Sequence, residues 1–123
     1  MLYAAAGEKY EAALKIEPDF HEALDNWGTV LLTQARARDF DQASDLLDVA
    51  WEKCQTAETL VPGVGAYNLA CISALRGDED ACERWLETSL SHGKFPPRDH
   101  LLNDPDLARV RATGWFQALV PQR

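Results

Sequence analysis

The sequence predicts an all-α protein, and three observations carry that prediction. Apolar residues recur at steps of three and four through most of the chain, no stretch alternates apolar and polar residues long enough to make a strand, and the pattern is interrupted at Pro and Gly. At 123 residues, of which 46% are hydrophobic and 26% charged, the chain is one domain able to bury a core without a disulfide or metal staple.

The elements follow in order. Ala6, Tyr10, Ala13 and Leu14 share one face of a helix that breaks at Glu17-Pro18-Asp19, and Ala23, Leu24, Trp27, Val30 and Leu31 share a face of the next. A third helix spans 41–60, where Ala43, Leu46, Leu47, Ala50, Trp51, Cys54, Ala57 and Leu60 form one stripe, with Asp39 or Asp41 as its cap. Pro62, Gly63 and Gly65 break the chain before a fourth helix over 66–76. Gly77-Asp78 makes a turn, and a fifth helix covers 79–92, with Asp78 placed to cap its start and Gly93 to close its end in the left-handed conformation. After Pro96-Pro97 the tail reads as one turn at 99–102, a short helix at 105–111 opened by Asp104-Pro105, and a last helix at 115–119.

Charge and cysteine content narrow the function. A net charge of −8 opposes binding to nucleic acid, whose affinity comes from cationic side chains displacing counterions. No apolar run approaches the ~20 residues that span a bilayer, and the first residues lack the pattern of a signal peptide. Cys54, Cys71 and Cys82 are odd in number and form no CxxC pair, which suits free thiols in the cytoplasm. Residues 94–123 carry a net +2 against −10 for residues 1–93, so the tail is a distinct piece. Its Leu101, Leu107, Val110, Trp115, Phe116 and Leu119 predict a cap folded over the last repeat, and its Arg98, Arg109 and Arg111 are a candidate docking patch for an acidic partner.

A shift of 44 places aligns Leu2 with Leu46, Ala6 with Ala50, Glu8 with Glu52, Lys9 with Lys53, Ala13 with Ala57 and Pro18 with Pro62; a shift of 42 aligns Asn26 with Asn68 and Gly28 with Ala70. A helix, a proline break and a second helix thus recur as one unit. The residues resemble the tetratricopeptide repeats. Ala6, Tyr10, Ala13 and Pro18 match the second half of such a repeat, Leu24, Trp27, Gly28 and Leu31 the first half of the next, and Leu69, Ala70, Gly77, Cys82, Leu86 and Ser89 a third. The resemblance covers residues 2–93. The middle repeat is about ten residues longer than the usual 34 or so, and with His21-Glu22-Ala23-Leu24-Asp25-Asn26-Trp27-Gly28 it resembles a long-repeat bacterial branch of that family. The chain also begins inside a second helix whose partner is missing, which suggests an end that self-associates or a piece of a longer array.

The resemblance implies a solenoid of antiparallel helical hairpins, about 2.5 repeats over 1–93 followed by a capping segment over 94–123. It further implies a concave groove lined by the first helix of each repeat, with Glu22, Asp25, Asn26, Thr29 and Thr33 on one and Tyr67, Asn68, Cys71 and Leu75 on the next. Asn26 and Asn68 stand where the family holds a bound peptide's backbone, and Glu22 and Asp25 stand where chaperone-tail receptors carry cations, so the expected partner is a basic or neutral peptide.

Catalytic and metal motifs fail on inspection. His21-Glu22-Ala23-Leu24-Asp25 begins like a zinc metalloprotease helix but has Asp25 in place of the second His, and Gly63-Val64-Gly65-Ala66-Tyr67-Asn68 begins like a dinucleotide loop but follows a helix and reads as a hinge. Cys71 and Cys82 fall short of the three or four ligands zinc requires. The sequence therefore predicts a non-enzymatic interaction scaffold with no catalytic residue, cofactor or metal, binding a protein segment in its groove; the alternative is an assembly subunit that self-associates through its N-terminal helix.

Overall fold

The close approach of helices at small residues organises the chain. The computed structural model describes residues 21–36 and 40–121. Helices α1 (His21–Arg36), α2 (Phe40–Leu60), α3 (Ala66–Leu75) and α4 (Glu79–Ser91) are followed by α5 (Arg98–Asn103), a 3-10 turn (Pro105–Leu107) and α6 (Gly114–Leu119). Among the described residues there is no strand and no helix long and apolar enough to cross a membrane. The expected helix over 1–16, its Pro18 break and the Asp39 cap lie outside the described residues; Asp41 falls inside α2, not before it.

α1 packs on α2, α2 on α3 and α3 on α4. Gly28 on α1 meets Cys54 and Ala50 on α2, so closely that a Cβ at Gly28 would overlap Cys54 Sγ. Gly65, which leads into α3, lies against the Cys54 carbonyl from the other side. At the opposite end of α2, Arg76 pairs with Asp48. Those contacts run α2 antiparallel to both neighbours. α1 and α3 therefore lie side by side in the same direction, Asn68 reaching Asp25 and Thr29 near one end and Leu75 and Arg76 standing near Ala35 and Arg36 at the other.

The apolar stripes bury as their periodicity requires. Ala23, Leu24, Leu31, Leu32 and Ala35 on α1 and Leu47, Ala50, Cys54 and Ala57 on α2 are buried, while Leu60, expected on the α2 stripe, is exposed where that helix ends. Trp27 and Trp51 are half-buried and carry cations on their faces, Lys53 4.6 Å and Arg76 5.4 Å from the ring centroids. α3 is buried nearly all round, from Leu69 to Ala74, because α1, α2, α4 and the 3-10 turn surround it.

Helix ends follow local chemistry. Asp78 accepts from the N–H of Ala81 at the start of α4. Gly77 and Gly93 have φ of +81° and +70°, and the N–H of the residue after each reaches back five residues, Asp78 to Ser73 O at 2.9 Å and Lys94 to Ser89 O at 2.9 Å. Both are glycine-closed helix ends of the Schellman type.

One tail element is shorter than expected, while Arg98–Asn103 and Gly114–Leu119 each run slightly longer than the sequence suggests. Pro105–Leu107 makes a single 3-10 turn followed by turns, where a helix over 105–111 was anticipated, because Asp104 and Pro105 fix a tight corner that α-helical hydrogen bonds do not extend. Leu101, Leu107, Val110, Phe116 and Val120 enter the same core as Leu31, Ala70, Ile72 and Leu86. Trp115 and Leu119 are half-buried, and Trp115 Nε1 donates to Glu79 at 2.8 Å.

The tight seat of Gly65 gives a test. Gly65→Ala pushes a methyl group into the backbone of α2 and is expected to cost about 1–3 kcal/mol, read as a lower denaturant midpoint with unchanged slope. An unchanged midpoint would show that α2 and α3 do not meet at this point.

Candidate functional site

A cleft of about 700 Å³ opens along α1 and α3 and is completed by residues 94–106 of the tail. α1 offers Asp25, Thr29, Leu32 and Arg36, one per turn of its cleft face; α3 and the loop before it offer Gly63, Val64, Tyr67, Asn68 and Cys71; the tail adds Lys94, Pro96, His100, Asn103, Asp104, Pro105 and Asp106.

Of the residues expected from sequence, Asp25, Thr29, Tyr67, Asn68 and Cys71 come together here. Glu22, Asn26, Thr33 and Leu75 do not line the cleft. Asn26 is exposed, a third of a helical turn away from Asp25, and Thr33 donates to Thr29 O and accepts from Arg36. Asn26 and Asn68 are thus not equivalent in use. Asn68 Nδ2 donates to Asp25 Oδ1 and to Thr29 Oγ1, both at 2.9 Å, so its amide already links α3 to α1.

Burial sets the electrostatics of this pair. Removal from water raises the Asp25 carboxyl to about 6, opposed by the hydrogen bond from Asn68. The thiol of Cys54, directly beneath, is pushed well up by its own burial and by the nearby Asp25 charge.

The other end of the cleft centres on Asp104, which sequence analysis assigned only as a cap. It does cap: Oδ1 accepts from the N–H of Asp106 at 2.9 Å. Its second oxygen faces the cleft and collects Tyr67 OH, Cys71 Sγ at 3.8 Å and His100 Nε2 at 3.5 Å. Tyr67 and His100 meet edge to face at 5.3 Å between ring centroids. Burial holds the Tyr67 hydroxyl and the Cys71 thiol well above their usual ranges, with the Asp104 charge adding to both. Asp106 is 5% exposed, and one of its oxygens lies 3.3 Å from Arg36 Nε. Asp104, Asp106, His100, Arg36 and Lys94 were missed as site residues; only the Asp104-Pro105-Asp106 corner left a signal in the sequence, and that signal was spent on the cap.

The three candidate docking arginines separate. Arg111 turns inward and donates to the Asp104 carbonyl, Arg98 donates to the Pro121 carbonyl at 3.0 Å, and Arg109 stands beside Gly77, lining a smaller cleft of about 310 Å³ with Arg36 and Arg76. The Gly63-Val64-Gly65 loop does cradle an anion, but the anion is the protein's own: Glu58 accepts from the N–H of Gly63 at 2.7 Å and of Gly65 at 3.0 Å. That bidentate contact closes the loop that the sequence reads as a hinge. Cys54, Cys71 and Cys82 are free thiols, all buried. No protein-family model, curated protein or solved structure matches the chain.

The raised Asp25 carboxyl has a pH signature. Its folded value of about 6 lies above its ordinary 3.8, so between those values the folded state keeps a proton that the unfolded state has lost. Stability from this group is full below about pH 4 and falls as pH rises through 6. Asp25→Asn is expected to flatten that part of the stability profile and to raise stability at pH 7 by about 1–2 kcal/mol, measured by denaturant unfolding from pH 4 to 8. A wild-type profile with no extra slope relative to the variant would contradict it.

Proposed function

We propose that the chain is a non-enzymatic interaction scaffold that binds an extended protein segment in the cleft along α1 and α3. The single observation that carries this reading is the cleft itself: an open trough of about 700 Å³ with hydrogen-bonding side chains on both helical walls and on the tail. Its length along two parallel helices suits a peptide better than a compact metabolite.

The fold is read with it as tetratricopeptide-like repeats stacked as a short solenoid, with the tail as cap. Support comes from the antiparallel pairing of α1 with α2 and of α3 with α4, from the parallel course of α1 and α3, and from the small residues Gly28, Ala50 and Ala70 where helices pack. Three free thiols accord with a reducing compartment such as the cytoplasm.

The partner is a basic or neutral segment. The cleft carries three carboxylates, of Asp25, Asp104 and Asp106, against Arg36 and Lys94, and Arg36 is engaged with Asp106. Asp25 is left with an amide and no cation among its hydrogen-bond partners, so a lysine or arginine of a ligand would relieve its desolvation. The chemistry in the cleft is quiet: burial keeps the Cys71 thiol and Tyr67 hydroxyl protonated, and a thiol in that state is a poor nucleophile.

The test is fluorescence-anisotropy binding against panels of unstructured peptides that differ only in Lys/Arg or Asp/Glu content. Basic and neutral members are expected to bind at about micromolar Kd, near −8 kcal/mol, and Thr29→Arg, which fills the cleft from an exposed position, is expected to weaken them at least about tenfold, or 1.4 kcal/mol. Equal binding by Thr29→Arg, or a preference for acidic peptides, would sink the reading.

A further inference from the structure

We propose that the floor of the cleft is a site for one zinc-class transition-metal ion, held by the Cys71 thiolate and the Asp104 and Asp106 carboxylates. The inference stands apart from the peptide reading, since it concerns a group of side chains that meet each other whether or not a segment lies above them.

Donor atoms of Cys71, Asp104 and Asp106 all lie within 4.8 Å of one another. Tetrahedral zinc, with bonds of about 2.3 Å to sulfur and about 2.1 Å to oxygen, keeps its donors roughly 3.6 Å apart. Cys71 Sγ and Asp104 Oδ2 are already at 3.8 Å, and closing the widest pair takes a movement of about 1 Å. His100 Nε2 lies 3.5 Å from the same Asp104 oxygen but outside the three-donor group, which leaves the fourth position to water. Mixed sulfur and oxygen donors select zinc or cobalt over magnesium or calcium, which take oxygen alone.

A second observation points to a ligand at this place. Asp106 is 95% buried and lines the cleft, yet its Oδ1 accepts no hydrogen bond and has only the ion-pair contact with Arg36 Nε at 3.3 Å. A buried carboxylate oxygen without a hydrogen bond is costly, and a cation bound by the group would satisfy it.

The surroundings are those of a supported site. Tyr67 OH donates to Asp104 Oδ2, Arg111 to the Asp104 carbonyl, and the Asp106 N–H to Asp104 Oδ1, so the ligand corner is oriented from three sides. Charge also balances. On binding, the Cys71 S–H bond breaks as the sulfur–metal bond forms and the proton leaves to solvent, with no change of oxidation state; one thiolate and two carboxylates then face a divalent ion and the Arg36 guanidinium.

The experiment titrates the full chain, freed of metal by chelator, with Co²⁺ in the absence of any peptide and follows the thiolate-to-cobalt charge-transfer band. One Co²⁺ per chain with that band, bleached by Zn²⁺, is expected. Cys71→Ser and Asp106→Asn should lose the band, Cys82→Ser should keep it, and Tyr67→Phe should weaken Co²⁺ binding about tenfold. No charge-transfer band in the wild type, or a band that persists in Asp106→Asn, overturns the proposal and leaves the cluster as a hydrogen-bonded network; circular dichroism checks each variant, and if Cys71→Ser fails to fold, Asp106→Asn decides. Peptide binding by the chelated protein is scored separately, so loss of either reading leaves the other measurable.

Discussion

The architecture depends on the passage of α1 and α3 over the same point of α2. Cys54 sits at that crossing with no exposed surface, its sulfur filling the space left by Gly28 and its carbonyl touching Gly65. Side chains at either glycine would hold one neighbour off by the thickness of a methyl group or more, and close-packed interiors do not absorb such a displacement without rearrangement. Because both contacts are short, α1 and α3 end up adjacent and parallel, near enough for one asparagine to bond to two residues of the opposite helix. The trough between them follows from that spacing.

The tail then turns a two-helix furrow into a three-sided cleft. It is anchored by large apolar residues, Leu101, Leu107 and Phe116, each without exposed surface, and this anchoring presents the Asp104-Pro105-Asp106 corner to α3. Asp104 divides its two oxygens between tasks: one satisfies the N–H of a tight turn, and the other gathers a phenol, a thiol and an imidazole from three different elements. Burial holds the phenol and the thiol of that hub in their protonated forms.

Among the described residues, carboxylates serve several different ends. Glu58 is consumed by the backbone N–H groups of Gly63 and Gly65. Asp48 pairs with Arg76, which in turn covers the Trp51 face and edges the Trp51–Trp85 contact. Asp25 is half-buried and takes the Asn68 amide as its side-chain hydrogen-bond partner, and its removal from water raises its carboxyl.

Much of this was legible in the sequence. Periodicity placed the four long helices to within a few residues, and Gly77, Asp78 and Gly93 marked their ends; these are local signals, written where they act. Five residues that line the cleft, Asp25, Thr29, Tyr67, Asn68 and Cys71, were among those that the resemblance to tetratricopeptide repeats implied for a groove. What tertiary structure alone decided is the role of groups far apart in the chain. Asn68 is spent on Asp25, 43 residues away, the Gly63 loop is closed by Glu58, Arg111 points inward, and Asp104, Asp106 and His100 join Cys71 only because the tail folds back on α3. No pattern of neighbours along the sequence specifies such meetings, since a side chain's partner is set by which surfaces the packed helices bring within hydrogen-bond reach.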